Sequence, residues 1–187
     1  MIDVKEARRR VMANVGMKST ETVPLLNASG RFAASDVVAP FDHPLFDCSA
    51  MDGYAFPFSD DANAWTVVGE VAAGDVFARG LQAGECVRIF TGAMIPQGAD
   101  TVVMQERVQR SGDVMSHSDV KLKRGGNVRS KGEQLRAGDV ALAKGTMLDA
   151  PAIGLLASVG VNEVHVAKRP RVALVISGDE FTEGTSP

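Results

Sequence analysis

Read from the N-terminus, the spacing of apolar and polar positions changes character twice. Val4, Ala7, Val11 and Val15 recur at helical spacing, which predicts an amphipathic helix. Asp3 is its expected N-cap, Glu6 its capping-box partner and Gly16 its stop. A short apolar turn around Leu25, Leu26 and Ala28 closes at Gly30. From Ala34 the pattern becomes β-like, with runs at Asp36–Ala39, Trp65–Ala72, Cys86–Phe90, Thr101–Glu106 and Val120–Leu122. Gly, Pro, Asn or Asp punctuates most gaps, as at Gly74-Asp75 and Gly125–Asn127. That spacing predicts a small antiparallel barrel or sandwich rather than a parallel α/β sheet.

The last third differs again. Val140–Ala143 reads as a strand and Lys144-Gly145 as a turn. Pro151 suits the first turn of a helix running through Leu155 and Leu156 to Val159, with Gly160 stopping it. Val161–Val166 is a further strand. After Lys168-Arg169-Pro170, the run Arg171–Ile176 is apolar without alternation, as in a strand covered on both faces. Only a turn, Ser177-Gly178-Asp179-Glu180, and seven residues follow it, so the chain reads as truncated. The fold class expected is α+β. One unit would combine residues 1–36 with 136–168, a β-rich unit would span 37–135, and residues 169–187 would begin a third.

Composition narrows the function classes. With 187 residues, 45% hydrophobic and 23% charged, the chain is an ordinary globular one. A net charge of −3 gives no reason to expect a nucleic-acid partner. No signal peptide and no apolar run of membrane-spanning length occurs, so no membrane is expected and the cytoplasm is the default compartment. Cys48 and Cys86 read as small core residues, although one bridge between them stays open. His43, His117 and His165 lack metal-ligand spacing and read as surface or loop residues.

Four segments combine glycine with acids, hydroxyls or bases. Phe46–Ala55 carries Asp47, Ser49 and Asp52, and a carboxylate pair in a loop suits an oxygen-liking cation. Arg88–Ala93 ends a strand in Thr91-Gly92, where backbone NH groups could hold an oxyanion. Lys121–Arg136 places Lys123, Arg124, Arg129 and Lys131 beside glycines and Glu133, an arrangement able to cradle phosphate. Ser177, Asp179 and Glu180 follow the apolar strand, where ligands of open α/β sheets collect. Each segment also has a plain structural reading as a turn or a solvated face. From spacing alone that reading leads for the first three and is balanced for the fourth.

The order of these segments is more specific than any one of them. Gly30–Pro40 is followed by Pro44–Ala55, which contains Ser49-Ala50-Met51-Asp52-Gly53-Tyr54-Ala55. Then come Arg88–Ala93, Pro96–Glu106, Gly126–Arg129 with Gly132-Glu133, and Arg171–Glu180. Over essentially its whole length the chain resembles the MoeA family of molybdenum-cofactor biosynthesis, which includes the E domain of gephyrin.

The resemblance implies a four-domain homodimer that takes adenylylated molybdopterin and molybdate, uses a divalent cation such as Mg2+, and releases AMP as molybdenum is inserted. A molybdopterin adenylyltransferase would act upstream. Residues 1–36 and 136–168 would be domain I, 37–135 the inserted β domain II, and 169–187 the start of domain III. Asp52, Thr91 and Glu180 would be catalytic, with Asp52 and Glu180 holding the metal. Ser49, Gly92, Arg129, Lys131, Glu133, Ser177 and Asp179 would bind substrate. The site would be shared between subunits, so residues 1–187 alone are expected to be inactive. Two positions depart from the family pattern: Gln134 stands where an acid is frequent, and Ser177 where Thr is usual. A second reading is a non-catalytic scaffold module, as in gephyrin's use of these domains.

Overall fold

A computed structural model describes residues 2–16 and 19–173. Among the described residues there are two α-helices, α1 (Val4–Asn14) and α2 (Ala150–Ser158), and twelve short strands.

The two helices share one starting device. Asp3 accepts from the Glu6 N–H at 2.8 Å and Asp149 from the Ala152 N–H at 3.0 Å, each satisfying a donor left free by the first turn. Beyond the caps they diverge. α2 carries Pro151 at its start, buries Ala152 and Leu156, and ends before Gly160 at φ 84°, as its sequence predicts. α1 buries no residue, and Val4, Val11 and Val15 are all exposed. The capping box is also absent, because the Glu6 carboxylate turns to Arg9 and Arg10 instead. The helix stops at Asn14, with Val15 extended, rather than at Gly16. Local signals sufficed to make this helix, but its apolar stripe finds no core among the described residues.

The core lies in separate clusters. One gathers Leu25, Ala28 and Ala39 with Leu148, Leu156, Val159, Val161, Val164 and Val166. It is framed by β1 (Thr20–Pro24) pairing antiparallel with β12 (Glu163–Ala167), and by β2 (Val37–Val38) pairing with β11 (Val140–Leu142). Segments more than a hundred residues apart in sequence therefore close one core.

The other clusters cover the two faces of a six-stranded sheet. Its strands are β4 (Gly53–Phe56), β5 (Ala64–Val71), β6 (Glu85–Ile89), β7 (Thr101–Met104), β8 (Val108–Ser111) and β9 (Val114–His117). They lie in the order β7-β4-β6-β5-β9-β8, antiparallel except for the β5–β6 pair. Ala55, Val87, Ile89 and Val102 face one cluster, while Tyr54, Phe56, Cys86 and Val103 face the other. Successive residues of a strand point to opposite faces, so burial on both sides explains why β4 and β7 read as continuous apolar runs. Both cysteines are free and buried.

Two sequence expectations fail here, and one strand pair goes beyond them. Val120–Leu122 is a turn, started by Asp119 accepting from the Lys121 N–H at 3.0 Å. Thr101–Glu106 is strand only to Met104, followed by a 3-10 turn. The β8–β9 hairpin was not anticipated, since its polar residues mask the alternation. Arg171–Ala173 is not strand, and Leu174–Ile176 with Ser177, Asp179 and Glu180 lies outside the described residues.

Candidate functional site

Three of the four segments singled out in sequence meet around one short strand, β3 (Cys48–Ser49). On one side β3 pairs with β10 (Val128–Arg129), in the register Val128 to Ser49 and Arg129 to Cys48. On the other it meets the turn after β6. The Ser49 N–H donates to the Ala93 carbonyl at 2.9 Å, and the Gly92 N–H donates to the Ser49 carbonyl at 2.8 Å. Gly92 has φ 82°, a left-handed conformation that glycine adopts without steric cost. The turn thus needs Gly92 for backbone reasons alone.

Asp52 sits where this arrangement meets the sheet. Its Oδ1 accepts from both the Thr91 N–H and the Thr91 hydroxyl, each at 2.8 Å. Both bonds favour the ionised carboxyl, so the Asp52 pKa is held below its ordinary value, first by the backbone bond and then by the hydroxyl. Arg88 adds a smaller attraction. Oδ2 accepts no hydrogen bond among the described residues. The result is a half-buried carboxylate, ionised and fixed in direction, with one oxygen to offer. The Thr91 hydroxyl, on a residue the resemblance makes catalytic, here donates its proton to Asp52.

Gly53 follows for a steric reason. A Cβ built there would stand 1.8 Å from the Val103 carbonyl oxygen, so no side chain fits between β4 and β7. Asp52-Gly53 is therefore a designed junction, where the strand must be bare and the residue before it turns out to solvent.

The remaining candidates are mostly held by one another. The Ser49 hydroxyl is buried and donates to the Met51 carbonyl at 2.6 Å. Asp47 accepts from the Lys131 N–H at 2.7 Å, and the Lys131 ammonium stands 3.4 Å from Asp42. Glu133 accepts from the Ser130 N–H at 2.9 Å and lies 4.0 Å from Arg129. The 129–133 loop is thus folded back on carboxylates, with Arg129 and Lys131 exposed at its surface. Arg124 is withdrawn from it, pairing with Asp100 and donating to the Phe58 carbonyl.

Sequence reasoning assigned no role to Asn127 or Gln105. Asn127, at φ 55°, donates from Nδ2 to the Val102 carbonyl at 2.9 Å, and its own carbonyl receives the Ala50 N–H. A non-glycine residue in that region is uncommon, and Asn after a glycine pair is the signal that could have found it. His117 is also more than a loop histidine. Its ring stacks on Trp65 at 5.5 Å, and its Nδ1 is buried with no hydrogen-bond partner among the described residues.

No group of three or more His, Cys, Asp or Glu side chains able to hold a metal occurs among the described residues. A cation at Asp52 would take one carboxylate oxygen from this part of the chain. No helix among the described residues is long and apolar enough to cross a membrane.

Comparison with known proteins gives this geometry a context. Residues 2–160 match the family model for the MoeA N-terminal region, domains I and II. A molybdopterin molybdenumtransferase of Haemophilus influenzae is 37% identical over 191 residues, covering all of this chain and 47% of that protein. One from Staphylococcus aureus is 36% identical, covering 97% of the chain and 45% of its own length. The crystal structure of a molybdopterin biosynthesis moeA protein from Pyrococcus horikoshii superposes with a TM-score of 0.78 at 34% identity, over 91% of this chain and 47% of that one. The chain spans about half the length of the curated relatives it matches. With its ordered motifs, its fold and the family model in agreement, the chain belongs to the MoeA family and corresponds to the family's N-terminal region.

Proposed function

We propose that the chain supplies one wall of a site that inserts molybdenum from molybdate into adenylylated molybdopterin, with release of AMP. The observation that carries this reading is the Asp52–Thr91 pair, which joins the loop before β4 to the turn after β6 as an ionised carboxylate fixed through one oxygen, the other accepting no hydrogen bond among the described residues. Adenylylated molybdopterin and molybdate are both oxyanions, so bringing them together requires cations or NH and OH donors between them. Magnesium suits such a place, because it binds through one or two carboxylates and keeps several waters or phosphate oxygens. Asp52 would hold it from this wall, and Glu180 from the next domain. When bound, the ion would offset the charge of the two substrates.

Around that centre, Ser49 and Gly92 shape the turn, and Arg129 and Lys131 add compensating charge at its rim. Glu133 tethers their loop, while Ser177 and Asp179 would extend the site. Residues 1–36 with 136–168 correspond in this reading to domain I, 37–135 to domain II and 169–187 to the start of domain III. The opposing wall would come from domains III and IV of a second subunit, and a molybdopterin adenylyltransferase would deliver the substrate. The same reading places this chemistry in the cytoplasm.

The test uses a longer protein that contains this chain and the following domains. Incubated with adenylylated molybdopterin, molybdate and Mg2+, it should release AMP only when molybdate is present. Residues 1–187 alone should release none. AMP release by the short chain would overturn the division of labour, and no release by the longer one would favour a scaffold role.

A further inference from the structure

Three residues before Thr91, on the strand that leads into its turn, β6 carries a charge whose hydrogen bonds tie the site together. Arg88 is paired across β4 with Tyr54 in the sheet register. Its guanidinium stands 5.4 Å from the centre of the Tyr54 ring and 4.8 Å from that of Phe90. Nη1 donates to the Gly53 carbonyl at 2.9 Å, and Nη2 donates to Oε1 of Gln105. The Gln105 N–H in turn donates to the Asp52 carbonyl at 3.0 Å. The two consecutive carbonyls at the Asp52-Gly53 junction are therefore both held, one by Arg88 and one by the residue Arg88 holds.

We propose that Arg88, together with Gln105, is a positioning residue that fixes the Asp52-Gly53 backbone so that the Asp52 carboxylate stays on Thr91. Arg88 lies on the strand that delivers Thr91 and reaches the backbone that delivers Asp52, so one side chain sets the distance between them. The task suits arginine. Its planar fork serves two acceptors at once and lies against aromatic rings, whereas a lysine ammonium is a flexible point charge. The charge has a second effect, since it adds to the two Thr91 bonds in keeping Asp52 ionised. Geometry and charge can therefore be separated by substitution. The inference rests on the reading of Asp52 as a site residue, but not on any turnover.

The experiment is made on residues 1–187 and follows two signals by NMR. These are hydrogen exchange of the Thr91 amide, which reports the Asp52–Thr91 bond, and the pH titration of the Asp52 carboxyl. In Arg88→Met, Thr91 exchange should accelerate by about tenfold or more, the scale set by one hydrogen bond to a charged group, and Asp52 should titrate at higher pH. Arg88→Lys should bring the titration back toward the unsubstituted chain while exchange stays fast. Gln105→Ala, at an exposed position, removes one anchor and should give an intermediate acceleration with the fold intact. If Arg88→Met does not fold, Arg88→Lys and Gln105→Ala decide the matter. Unchanged Thr91 exchange in both of these would overturn the proposal. Neither signal requires molybdenum insertion, so this inference and the proposed activity can fail separately.

Discussion

Arg31 and Asp52 are charges in two different regions, and the chain treats them in opposite ways. Arg31 belongs to the region closed by the first and last segments and is only 8% exposed. Its guanidinium donates twice to the Ala167 carbonyl and pairs with Glu21, so its charge is spent on tying the end of β12 to β1. Asp52, at the margin of the six-stranded sheet, has one oxygen bound and no cation hydrogen-bonded to its carboxylate among the described residues. A buried charge held by an ion pair and a backbone carbonyl is a clamp, because unpairing it is costly. A half-buried charge held in a fixed direction but only partly satisfied is available to a ligand. Under the proposed function, the difference separates scaffold from site.

The largest effect should come from a substitution that breaks the sheet side of this comparison. Gly53→Ala places a Cβ within 1.8 Å of a backbone oxygen, so strands β4 and β7 must separate. It should cost more than about 3 kcal/mol, in the range reserved for core disruption. Loss of native fluorescence from Trp65, the chain's single tryptophan, would report it. Amides of β1 and β12 should stay protected if the two cores are separate, and their simultaneous loss would break the comparison.

The next effect sharpens it from the scaffold side. Leu156 is fully buried among residues from both ends of the chain. Leu156→Ala should destabilise by about 2–5 kcal/mol through lost burial and a cavity, measured by urea unfolding of the α2 and β12 amides. The Asp52 titration should not move.

A smaller effect concerns His117. Burial against Trp65 and Phe56 pushes its pKa below the ordinary 6.5, with Asp119 opposing. Because the folded state disfavours the proton, its contribution to stability is complete above the unfolded value, near 6.5, and is lost as pH falls through the lower folded value. Urea midpoints followed by Trp65 fluorescence should therefore drop between pH 7.5 and 5.5. His117→Phe should flatten that drop, and an equal drop in the variant would assign it to other groups.

How much of this was legible in the sequence depended on range. The second helix could be read residue by residue, because Asp149, Pro151 and Gly160 act within one turn of its ends. The first helix was legible as a helix, but its exposure was not, since burial depends on a partner the pattern does not contain. The β8–β9 hairpin was hidden because Gln109, Arg110, Ser116 and His117 give no apolar alternation. At the site, Asp52 and Thr91 were each visible as polar residues beside glycine, but they lie 39 residues apart. Only the pairing of Gly53 with Ile89 brings them together. Arg88 was missed for a similar reason. A lone arginine in an apolar strand reads as solvent-facing until the sheet shows which backbone its fork reaches.

The central claim is that Asp52 acts as a ligand-holding carboxylate and not merely as a cap on the Thr91 turn. Its most direct measurement compares Asp52→Ala with Asp52→Asn in a longer protein carrying the following domains, scored as molybdate-dependent AMP release. Asp52→Asn keeps an oxygen for the Thr91 N–H but removes the charge, so a capping role alone would leave it nearly as active as the original. The account predicts that both variants lose more than the roughly 10–100-fold typical of residues that only support a metal site, with the fold retained. Near-normal release by Asp52→Asn would contradict it.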